Sequence, residues 1–172
     1  MKKLSMFVSA IFLISICTNI NLFAGGDDNP DRKFIKKAVI GGMMEVELGK
    51  YAQQNAASQS VKDFGKMMET DHSKAIDELK SLAQKNNFTV PDKMDEKHMD
   101  KVENLKAQKG GDFDKAYMDM MVEDHEKNID KFQGALNRVQ NSELKDWISK
   151  TLPTIKNHLA QAKKINDQIA SK

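Results

Sequence analysis

Four stretches of this chain repeat apolar or small residues at alternating three- and four-residue spacing, and each puts one metal-capable side chain at mid-seam. That spacing keeps the residues on one face of a helix. The first seam reads Phe34, Ala38, Gly41, Glu45, Leu48, Ala52, and the second Val61, Gly65, Met68, His72, Ala75, Leu79, Leu82. The third is Met118, Met121, His125, Asn128 with Ile129 beside it, Phe132 and Leu136, and the fourth Ile148, Thr151, Ile155, His158, Ala162, Ile165, Ile169. One inward glutamate and three inward histidines restrict the fold severely, because a buried charge is costly unless it is paired or bound to a cation.

The rest of the sequence agrees with helices. Ala, Lys, Glu, Gln, Leu and Met abound, aromatics are 6% and prolines number three, which leaves little that reads as strand. Asn29-Pro30-Asp31 starts a first helix running to about Ala57; Ser58 to Ser60 make a turn and cap, and a second helix runs from Val61 to Lys85. Residues 86–111 contain Pro91, are rich in charge and close with Gly110-Gly111, yet Met94, His98, Val102 and Leu105 recur at helical spacing, so a short helix is expected there. A third long helix runs from Asp112 to Gln140, and a fourth from Ser142 onward with Pro153 as a kink or break. The expected fold is all-α: an up-down-down-up four-helix bundle over residues 32–172, with 86–111 as its one long crossover.

The start of the chain reads differently. Lys2 and Lys3, the apolar run Leu4 to Ile16 and a polar stretch ending at Ala24 form the tripartite pattern of a secretory signal peptide, residues 1–24, followed by a flexible stretch 25–31. The expectation is an exported protein, periplasmic or associated with the outer membrane, with no transmembrane segment once the signal is removed. Lipid attachment at Cys17 is the lesser alternative, since bulky Ile16 stands where a small residue is normally wanted. Losing the leader removes the single cysteine, so no internal disulfide is expected. It also removes two of 27 basic residues, leaving them equal to the 25 acidic ones, a balance that gives no argument for a nucleic-acid partner.

Two segments are near copies: FGKMMETDHSKAID from Phe64 and YMDMMVEDHEKNID from Tyr117. With a long crossover the second and third long helices run parallel, and identical sequences then present the same groups at the same height. Glu45 lies about 14 residues before the first turn and His72 about 13 after it, so at 1.5 Å per residue they sit level. His125 and His158 are level within about one turn by the same count. The expected layer of Glu45, His72, His125 and His158 suits one divalent ion such as zinc, manganese or iron. Met68 and Met121 each precede a histidine by four residues on its face, a soft set that would favour copper, although methionine is commonly core filler. Glu69 and Glu126 are further candidate ligands. Asp71 and Asp124 point about 100° away from the adjacent histidines and are candidates to hydrogen-bond a histidine of a neighbouring helix. A metal-free polar layer that fixes helix register stands beside the metal reading.

The blocks GGMMEVELGKYA, VKDFGKMMETDHSKAIDELKSLA, FDKAYMDMMVEDHEKNIDKF and LPTIKNHLAQAKKI resemble, in order, the exported bacterial family called domain of unknown function 4142. The resemblance spans roughly Phe34 to Ile165 and implies a ferritin-like bundle and an export route, with no established activity. It puts the family's recurrent elements on Glu45, Asp71-His72, His125 and Leu152-Pro153 with His158-Leu159. True di-iron bundles use a Glu from each of two helices and Glu-x-x-His from each of the others. Here Glu69 and His72 have that form, but Ile155 stands where the second such Glu would be, so a two-iron enzyme lacks carboxylates. The open classes are a metal-binding or sequestering protein, a metal-dependent redox enzyme and a metal-free structural or envelope-interaction module.

Overall fold

The computed structural model describes residues 28–171, and the expected leader with Cys17 lies outside them. Asn29 caps helix α1 (Pro30–Asn55) by accepting from the Asp31 and Arg32 amides, and Pro30 opens the helix where its missing N–H costs nothing. Helix α2 spans Gln59–Lys85 and the short α3 spans Glu96–Lys106, the latter capped by Asp95 on the His98 amide. Helix α4 spans Gly110–Leu136, and α5 spans Ser142–Ala170, capped by Asn141 on the Leu144 amide. The chain is an all-α four-helix bundle with α3 inside the crossover, and the described residues contain no strand.

Contacts at the two ends give the topology. The end of α1 meets the start of α4 through Tyr51 and Phe113, with ring centroids 5.1 Å apart, and the start of α1 meets the end of α4 through Phe34 and Phe132, 5.0 Å apart. Helix α2 ends beside the start of α5, where Asn141 donates to Asn86 at 2.9 Å. Neighbours are thus antiparallel and α2 runs parallel to α4, the up-down-down-up order with one long crossover. Helix α3 is pinned by buried Val102 and Leu105 and by the Tyr51 hydroxyl donating to the Lys106 carbonyl at 3.0 Å.

Two buried aspartates join the hairpins reciprocally. Asp114, near the start of α4, accepts from the Ala57 and Ser58 amides at 2.9 and 2.7 Å, just where the α1–α2 turn enters α2. Asp31, near the start of α1, accepts from the Gln140 and Asn141 amides at 2.7 and 3.1 Å, where the other turn enters α5. Turn amides with no helical partner are thereby satisfied by a charged acceptor.

Apolar side chains between these ends form two clusters. One contains Met44, Leu48, Phe64, Met68, Phe113, Tyr117 and Met121; the other contains Ile35, Val39, Ile76, Phe132, Leu144, Ile148 and Ile155. Helix α1 departs from its predicted seam: Ile35 and Val39 are buried, while Phe34 and Ala38 are half-buried at the edge. Helix α1 packs against both α2 and α4, so its buried stripe is wider than a single seam and extends onto the flank of Ile35 and Val39. Pro153 does not break α5, because Pro153 and Ser149, whose carbonyl loses its helical donor, both face solvent.

Candidate metal centre

Helices α2, α4 and α5 bring His72, His125 and His158 together between the two apolar clusters, with ring centroids 5.4 to 5.9 Å apart. Parallel α2 and α4 put the paired Asp-His dipeptides at one level, and α5 runs antiparallel beside α2 to supply the third ring. His125 and His158 are buried and His72 is nearly so.

Each ring has one nitrogen committed to a group that can only accept. His72 Nδ1 donates to the Glu45 carboxylate at 2.9 Å, His125 Nδ1 to the Met121 carbonyl at 2.8 Å, and His158 Nε2 to the Asp71 carboxylate at 2.8 Å. In a neutral imidazole the other nitrogen then carries the lone pair. Those remaining atoms, His72 Nε2, His125 Nε2 and His158 Nδ1, are buried and have no partner among the described residues. One nitrogen from each ring lies within 4.8 Å of the other two.

The electrostatics separate the three rings. Burial opposes charge on His72, but the Glu45 carboxylate and the nearby Asp71 outweigh it and raise its pKa above the usual 6.5. Burial lowers His125, and burial with the neighbouring histidine charges pushes His158 down to about 4 despite its bond to Asp71. Burial would raise Glu45, yet His72 foremost, with His125 and His158, takes it down to about 2.

The carboxylate candidates fall outside the group of three nitrogens. Glu45 stands one hydrogen bond behind His72, its Oε2 accepting from Nδ1, and lines the same cavity without joining the three nitrogens. Asp71 meets His158 across the α2–α5 interface, whereas Asp124 faces α3 and lies 3.4 Å from Lys101 rather than reaching a histidine. Glu69 accepts from Gln53 at 2.7 Å and Glu126 pairs with Lys163 at 2.6 Å, both away from the rings. Met68 and Met121 are fully buried in an apolar cluster. Buried Tyr117 escaped the seam reading; its hydroxyl has no partner among the described residues, and burial together with the Glu45 charge pushes its pKa up.

A bundle with three inward histidines oriented by outer acceptors defines the class of this molecule. The chain belongs to the family described as a domain of unknown function, DUF4142, whose model matches residues 24–165. No curated protein and no solved structure matches it.

Proposed function

We propose that this protein binds a single divalent cation through His72 Nε2, His125 Nε2 and His158 Nδ1, as an exported metal-holding protein. The carrying observation is the tautomer pattern: three acceptors each take one ring N–H and leave three buried, unpartnered nitrogens on rings that approach within 4.8 Å of one another, nitrogen to nitrogen. Metal-binding histidines characteristically donate their second N–H to a carboxylate or carbonyl, which orients the ring and raises its basicity. Unsatisfied buried acceptors are costly, and a cation removes that cost. Zinc-class ions hold imidazole nitrogen at about 2.0–2.1 Å, so the rings close by on the order of 1 Å on binding. Imidazole donors suit zinc, copper or iron. With Glu69 and Glu126 turned to other partners, the donor set supports one ion rather than a carboxylate-bridged pair. Export is supported by the leader pattern and by a family match that starts at residue 24, outside the apolar segment.

The test is elemental analysis of the natively produced protein, with melting temperature measured before and after chelation. About one equivalent of metal per chain, absent in His125→Ala, is expected, and chelation should lower the melt. A metal-free protein that takes up no zinc, copper, manganese or iron on reconstitution and melts identically with chelator would sink the proposal. The raised pKa of His72 favours a second reading, in which a proton on its Nε2 takes the cation's place and the layer is purely structural; the same measurement separates the two.

A further inference from the structure

The histidine layer opens on one side into a cavity of about 80 Å³, room for a few water-sized groups. Its wall includes all three histidines, the carboxylates Glu45 and Asp71, Gly41 and Lys37 from α1, and Asn128 from α4. Lys37 is exposed and Gly41 half-buried, so this wall reaches the surface.

Gly41 differs from the glycines at the contact between α1 and α2. A Cβ on Gly49 would lie 2.5 Å from the Gly65 carbonyl oxygen, and one on Gly65 would lie 2.7 Å from the Gly49 oxygen, so those two let α1 and α2 touch. A Cβ on Gly41 would meet nothing within 4 Å. Glycine inside a helix is unfavourable relative to alanine, and here no packing contact requires it. It leaves space beside the cavity instead.

We infer that the bound ion keeps a fourth coordination position open toward this cavity, and that a small anion of about three non-hydrogen atoms enters past Gly41 to occupy it. This rests on the metal reading above. Three protein ligands plus one exchangeable position is the arrangement of zinc sites that take exogenous ligands. The three imidazoles are neutral when bound, so the ion's charge is not cancelled by its direct ligands. Glu45 and Asp71 also line the cavity, but each sits one hydrogen bond behind a histidine and opposes an anion less strongly than the adjoining ion attracts it. Lys37 adds a positive charge at the mouth, and Asn128, whose Oδ1 accepts from Lys131 at 3.3 Å, keeps its amide donor uncommitted at the wall. The step is a ligand exchange in which the anion replaces water, with no redox change.

The full mature chain loaded with cobalt(II) and titrated with sodium azide tests this. The expected result is a visible cobalt spectrum that azide shifts saturably. Gly41→Ala should keep both the spectrum and the response; Gly41→Leu should keep the spectrum and helical content but lose the azide response. Lys37→Glu, an exposed change that leaves folding intact, should weaken azide by roughly three- to tenfold, the scale of one reversed charge near the path. Absence of a cobalt spectrum overturns the metal reading and this inference together. A cobalt spectrum indifferent to azide overturns this inference alone, and an undiminished response in folded Gly41→Leu overturns entry past Gly41.

Discussion

At the scale of single residues, what matters is where each proton sits. In the metal-free protein His125 and His158 resist protonation while His72, paired with Glu45, welcomes it. Between pH 6.5 and about 4 the unfolded chain therefore binds a proton that folded His158 refuses, so stability falls as pH drops through that window. His72 acts oppositely: its contribution is complete below 6.5 and is lost as pH rises through its raised folded value. Urea midpoints of metal-free protein should accordingly peak near neutrality, and His158→Gln should flatten the acid limb; an unchanged acid limb would contradict the assignment. Tyr117 gives a second expectation. Its buried hydroxyl has no partner among the described residues, so Tyr117→Phe should stabilise the metal-free protein by about 1 kcal/mol in urea unfolding, and a loss would reveal a partner in solution. The histidines were legible in sequence because period and height are properties of a helix. The place of Glu45 behind His72 was not, since spacing fixes a side chain's level and not which atom of a neighbour it meets. Asp31 and Asp114 were not legible as buried acceptors either, because nothing local distinguishes them from capping or surface aspartates.

At the scale of elements, α1 shows two uses of glycine in one helix. Gly49 and Gly65 form a direct backbone contact between α1 and α2, and any side chain there must push the helices apart. Gly65→Ala should cost about 1–3 kcal/mol, the usual range for overpacking, measured by chemical denaturation. Gly41→Ala should do the reverse, gaining up to about 1 kcal/mol from helix propensity alone, because its Cβ meets open space. In the sequence all three are simply glycines inside helices; only the neighbouring backbone separates the contact from the gap. Helix α3 was legible from four residues at helical spacing, of which Val102 and Leu105 are buried. What pins it, the Tyr51 hydroxyl on the Lys106 carbonyl, joins residues 55 positions apart and has no local signature.

At the scale of the whole molecule, the two hairpins are held at three levels: Asp114 under one turn, Asp31 under the other, and the histidine layer between them. The three histidines come from both hairpins, so a cation bound there would stabilise their association and not merely order one helix. At a free ion concentration near a hundred times Kd the gain is about 2.7 kcal/mol, which for a domain of this size raises the melt by roughly 5–10 °C. Asp114 lies about 16 Å along α4 from His125, beyond the range over which independent sites couple. Asp114→Ala strips two turn amides of a charged acceptor and should destabilise the metal-free protein by about 2–4 kcal/mol. The metal-induced gain in that variant should nevertheless match the unaltered protein's within about 0.5 kcal/mol, because the end tie and the central layer share no partner. Paired denaturation curves with and without zinc, for both proteins, measure this directly. A markedly smaller gain in Asp114→Ala would mean that the turn contact sets the spacing of the hairpins at the histidines, making the aspartate tie part of the site's geometry rather than an independent clasp.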